Sequence, residues 1–177
     1  MKLAAIPLAV LAGLMSGGCA TLDRPEANSA LQTRWDMVSF EMKSWGEPLS
    51  SWRLMNDGGG SWTEAIRLEE SGPGRYELVH HEIPADLKNF AAVERILQTL
   101  PSPAPTASNC KKYFPDLPYG TLRLDIGATA VEIAWNSSCQ DEAYQPLIDA
   151  LREINDLVSE WGRNGAILRS ELVPASE

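Results

Sequence analysis

The chain has 177 residues, 24 acidic and 15 basic, for a formal charge of −9. That length suits one domain with a substantial core. An acidic chain without a basic cluster argues against binding nucleic acid or anionic lipid headgroups, and no residue pattern calls for a cofactor.

Residues 1–18 read as a signal peptide. Lys2 gives a short positive end, and residues 3–15 are apolar but too short to span a bilayer comfortably. Ser16-Gly17-Gly18-Cys19 follows and resembles a bacterial lipobox, in which the Cys is acylated and becomes the mature N-terminus. Ser16 departs from the usual Leu. The alternative is an ordinary secretory signal cut after Ala20, with Cys19 discarded. The lipobox resemblance implies lipidation at Cys19. Ala20 in place of the Asp that often retains lipoproteins at the inner membrane implies an outer-membrane anchor facing the periplasm. Residues 19–33 are small and polar and suit a flexible tether.

Four strands are expected next, at 37–43, 51–55, 61–68 and 75–82. Val38, Phe40 and Met42 alternate with polar residues in the first, and Trp52 and Leu54 are in phase in the second. Ser44-Trp45-Gly46-Glu47-Pro48 interrupts the first pair. Asn56-Asp57-Gly58-Gly59-Gly60 and Glu69-Glu70-Ser71-Gly72-Pro73-Gly74 are the other turns. The three glycines are not a phosphate loop, because no Lys-Ser/Thr pair or helix start follows them.

A helix starting at Pro84 carries Phe90, Val93, Leu97 and Leu100 at spacings of three and four, and Pro101 stops it. Residues 101–108 form a stiff, Pro-rich connector. Two alternating runs around Gly127-Ala128 then predict a hairpin, and Cys110 and Cys139 flank it. These two cysteines are the even pair that remains if Cys19 is acylated. Exported, they are expected as a disulfide, and closing about 30 residues stabilises by roughly 3–4 kcal/mol. The last helix takes Asp141-Glu142 as N-cap and acidic first turn. Its seam is Leu147, Leu151, Ile154, Val158 and Trp161, and Gly162 and Gly165 end it. Residues 166–177 are expected to fray.

The expected fold is α+β. A mostly antiparallel sheet of about six strands (four strands, helix, hairpin, helix) carries two amphipathic helices on one face, in a single domain over 34–165. Val38 to Met42, Trp52 to Gly60, Ser61 and Trp62, and Asp116-Leu117-Pro118 resemble the plan of a family of uncharacterised small exported bacterial proteins, often lipoproteins. That family carries a Cys-Phe-Gly-x-Cys-Pro-x-Tyr signature in its first loop. This chain has Ser44-Trp45-Gly46-Glu47-Pro48 there, without either cysteine.

Chemistry-bearing residues are few. His80 and His81 are the only histidines. On a strand they face opposite ways, so only His80 and Glu82 share a face, which is two ligands where a metal needs three or four. No nucleophile elbow or Ser-His-Asp order occurs. Of the six tryptophans, Trp52, Trp62, Trp135 and Trp161 fall on apolar phases, while Trp35 and Trp45 lie near the ends of the first strand. Exposed Trp would offer a binding patch for sugar, peptidoglycan or a partner protein. Lys111, Lys112 and Tyr113, beside Cys110, would lie on a rigid loop.

The sequence therefore predicts a lipid-anchored, non-enzymatic binding or structural module of the cell envelope. The alternatives are a periplasmic inhibitor of an envelope hydrolase using the 111–116 loop, and a small enzyme using His80 and Glu82.

Overall fold

A computed structural model of the chain describes residues 35–68 and 75–173. The expected signal peptide, Cys19, the expected tether and the turn expected at 69–74 lie outside these residues. The strands are β1 (Met37–Ser44), β2 (Glu47–Met55), β3 (Gly60–Arg67), β4 (Tyr76–Ile83), β5 (Tyr119–Ile126), β6 (Thr129–Asn136) and β7 (Ile167–Val173). The helices are α1 (Leu87–Leu97) and α2 (Gln145–Arg163). The strands form one sheet in the order β6-β5-β1-β2-β3-β4-β7, with every neighbouring pair antiparallel.

Alternation fixes which face is covered. Val38, Phe40, Trp52, Leu54, Trp62, Ile83, Leu122, Leu124, Ile133 and Trp135 are buried and share one core with both helices. Their cross-strand partners keep them on one face, as in Val38↔Leu54, Trp52↔Trp62 and Phe40↔Leu122. The other face carries Glu41, Lys43, Arg123, Asp125 and Glu132. Its ion pairs include Lys43–Glu41 at 2.9 Å and Arg123–Asp125 at 2.9 Å, and it faces solvent. Helix α1 buries Phe90, Val93, Ile96 and Leu97, and α2 buries Leu147, Ile148, Leu151, Ile154 and Val158. The connector packs Ala104 and Ala107 against the same core.

Several expected boundaries move. The break at 44–48 is only a two-residue turn, and β2 begins at Glu47. Helix α1 begins after Pro84, because Asp86 is its N-cap and accepts from the Lys88 N–H. Helix α2 has Tyr144 as N-cap with no side-chain cap. Asp141, expected in that role, instead accepts the backbone N–H groups of Lys111 and Lys112, both at 2.9 Å.

The tail expected to fray from residue 166 forms β7 instead, a seventh strand beside β4. Its apolar residues have no clean alternation because a bulge at His80/His81 shifts the register. Glu82 N–H to Ala166 C=O, 2.8 Å, opens the pairing.

Candidate functional site

The Cys110–Cys139 disulfide is formed, with Cα atoms 5.6 Å apart. It ties residues 111–118 along residues 137–140. Backbone bonds run from Phe114 N–H to Ser138 C=O (2.9 Å), Gln140 N–H to Lys112 C=O (2.8 Å) and Ser137 N–H to Pro118 C=O (2.9 Å). The Asp141 carboxylate adds its two bonds to the start of the loop. Those two amides hold the Asp141 pKa below the ordinary carboxylate value, against a smaller opposing effect of burial.

This loop separates two concavities at one end of the sheet, and Leu117 lines both. The outer one is a cleft of about 300 Å³ whose walls include Trp45, Tyr113, Asp116, Tyr119, Asn136 and Ser138. Trp45 is 76% exposed and Tyr113 55%. The inner one is a groove of about 280 Å³ between the sheet and α2. Phe40, Met42 and Trp135 form its floor, and Gln145, Arg152 and Asn155 of α2 its polar rim. Asn155 is oriented by the Trp52 indole, whose Nε1–H donates to its Oδ1 at 3.2 Å.

Trp45 sits in an unusual backbone state. It and Gly46 have φ of 55° and 82°, the two positive values of a type I′ hairpin turn. The first position of such a turn favours Asn, Asp or Gly. A bulky L-residue there costs about 1–2 kcal/mol. The Tyr119 hydroxyl accepts from the Gly46 N–H at 3.1 Å and fixes the turn. Asp116, across the cleft, also has positive φ (72°). Two such non-glycine residues, the only ones among those described, lining one cleft is the pattern of strain held at functional sites.

The structure brings Trp45 and Tyr113 together, with Lys111 and Lys112 exposed on the same loop. Trp35 does not join them. It is 2% exposed and belongs to the core, because Asp36 N–H to Asp125 C=O pins the start of β1 and the apolar indole is buried there. Phe114, within the suspected 111–116 loop, also presents exposed apolar surface at this end, as do Tyr119 and Leu117, which no sequence pattern marks. Tyr119 opens an alternating strand, and nothing in its spacing distinguishes it from a packed residue.

His80 and Glu82 lie on the open face of the sheet. The His80 ring is engaged at both nitrogens, with Thr63 Oγ1 at 2.9 Å from Nδ1 and Glu171 Oε1 at 3.3 Å from Nε2. His81 points the other way and is buried against Trp62, ring centroids 5.0 Å apart. Among the described residues, the one His/Cys/carboxylate cluster close enough to share an ion is Cys110, Cys139 and Asp141. Its sulfurs are joined to each other, so it acts as a covalent knot.

No described helix is long and apolar enough to cross a membrane. Compared with protein-family models, with curated proteins and with solved structures, the chain matches none.

Proposed function

We propose that the chain is a non-enzymatic binding module of the bacterial cell envelope, anchored through lipid at Cys19. Its ligand is taken up at the aromatic cleft beside the disulfide-clamped loop. The observation that carries this reading is Trp45, largely exposed at φ 55° in a turn where a smaller residue would be more stable. The ligand class that suits the cleft is a saccharide, and in this compartment the glycan of peptidoglycan. A sugar ring offers C–H faces to Trp45, Tyr113 and Tyr119, and hydroxyls to the Asp116 carboxylate and the Asn136 amide. Lipid attachment behind a tether would hold the cleft within reach of that polymer.

Co-sedimentation with purified sacculi tests the reading. The wild type is expected in the pellet, with Trp45→Asn and Tyr113→Ala each reducing retention at least tenfold. A wild type that stays in solution, or a Trp45→Asn variant that pellets equally, overturns the saccharide assignment.

A second reading is supported by the rigidity of the loop itself. Tyr113 and Phe114 project from a segment held by the disulfide, a backbone ladder and Asp141, as suits a loop inserted into a hydrolase active site. Inhibition of an envelope hydrolase that is lost in Phe114→Ala but kept in Trp45→Asn would favour it.

A further inference from the structure

The two edges of the sheet are treated differently. Along the second half of β6, the connector residues 104–108 lie opposite Glu132, Ile133, Ala134 and Asn136 across a cavity of about 580 Å³, while Thr129, Ala130 and Val131 are exposed. Strand β7 ends the sheet on the other side, with no strand on its outer edge among the described residues. It is exposed for almost all its length, including Ile167 (65%), Leu168 (59%) and Leu172 (73%). Open strand edges with apolar side chains accept further strands.

The sequence of β7 selects the strand it would accept. Ile167-Leu168-Arg169-Ser170-Glu171-Leu172-Val173 has the same chemistry read from either end, apart from charge, which inverts about Ser170. We infer that two copies of this chain pair antiparallel through β7, about a two-fold axis at Ser170, into one continuous sheet. Arg169 of each copy then stands opposite Glu171 of the other, twice. The regular part of the pairing is residues 169–171; beyond it Leu172 of each copy reaches the bulge at Leu168 of the other. Arg169 and Glu171 lie on the open face, in register with His80 and Leu78 of β4, and Ser170 and Leu172 lie on the helix-covered face.

Charge also fixes the register. A two-fold axis at Arg169 would set arginine against arginine, and one at Glu171 would set glutamate against glutamate. Like charges directly opposite destabilise a strand pair. Charged side chains on an edge strand, and a bulge such as that at Leu168, ordinarily discourage further pairing. Here the charges are of opposite sign, and complementary only in the register centred on Ser170. None of the cleft residues takes part, so the pairing stands apart from the proposed ligand.

Sedimentation equilibrium of the purified full-length protein over a concentration series tests the pairing, together with thiol cross-linking. A reversible dimer is expected. Arg169→Glu should raise its dissociation constant about tenfold or more, by turning two attractive pairs into two repulsive ones. The double exchange R169E/E171R should restore it to within about threefold of wild type. Ser170→Cys should give a covalent dimer on oxidation, while Leu87→Cys, an exposed control on α1, should not. A monomer at every concentration overturns the proposal. So does a dimer that ignores R169E and fails to cross-link through S170C.

Discussion

Trp135 of β6 stacks on Phe40 of β1 across the strand between them, with ring centroids 5.2 Å apart and planes 10° from parallel. Phe40 in turn stacks on Trp52, 5.5 Å away on its other side. The intervening β5 permits this because residue 120, opposite both Met42 and Trp135, is glycine. In the floor of the inner groove Phe40 and Trp135 thus stack across β5 beside the one position that carries no side chain, Gly120.

Gly120→Ala is expected to disturb this stack. A Cβ there would meet the Glu41 carbonyl oxygen at 1.8 Å and Trp135 Cζ2 at 3.1 Å. Overpacking of this kind costs about 1–3 kcal/mol. Urea unfolding should show that loss, with a changed environment for the tryptophan fluorescence. Unaltered stability would mean that β1 and β5 move apart freely.

Gly162→Ala makes a second packing test. The last turn of α2 approaches β3 so closely that an added Cβ would lie 2.4 Å from Trp62 Cβ. Helix propensity favours alanine by about 1 kcal/mol, and steric clash opposes it by more. The net expectation is a lowered midpoint in thermal unfolding. A raised midpoint would show that propensity outweighs contact here.

The loop clamp has two separable parts. Reduction of Cys110–Cys139, or its replacement by alanines, should lower stability by about 2–4 kcal/mol. Asp141→Asn leaves one carbonyl acceptor where two carboxylate oxygens held two amides. Because the folded Asp141 pKa is depressed, its stabilisation is complete above the unfolded value of about 3.9 and is lost as pH falls through the lower folded value. Wild type and D141N should therefore differ at pH 7, begin to approach each other below about pH 4, and converge only in acid below the depressed folded value. A gap that persists at low pH would remove the carboxylate from the account.

Much of the architecture was legible because period-2 alternation survives in β1, β2, β5 and β6, and the α2 seam repeats at three and four. β7 was not legible. Leu168 is the extra residue of a bulge, so Ile167, Leu168 and Leu172 give no strand period. Asp141 was misread because an acidic residue before a helix has the pattern of a cap whether it binds that helix or a loop 30 residues upstream. For the site, Trp45 and Tyr113 were visible as aromatics near turns. Their union in one cleft with Tyr119 depends on β5 lying beside β1, a long-range pairing that no local pattern encodes. Trp35, near the same strand, is buried instead, which nothing in its local pattern marks.

His81 is buried against Trp62, and neither ring nitrogen has a hydrogen-bond partner. Glu64 Oε1, 3.6 Å from Nε2, is beyond hydrogen-bond reach. Desolvated polar atoms without partners are costly, and an apolar residue of similar size removes that cost. His81→Leu is therefore expected to stabilise the protein by about 1 kcal/mol in denaturant titration. A loss of stability of that size would show that the imidazole has a polar partner.

Trp45→Asn separates folding from binding. It creates the Asn-Gly pair that type I′ turns favour and removes a bulky side chain from positive φ. The hairpin should gain about 1–2 kcal/mol, read as a higher unfolding midpoint. Trp45 is 76% exposed, so little packing is lost with its side chain. Greater stability together with lost retention on sacculi is the signature of a residue kept for its ligand at the expense of the fold. If the variant is instead less stable, the Trp45 indole contributes to packing against Tyr113 and Tyr119, and the strain at its φ ceases to mark a site.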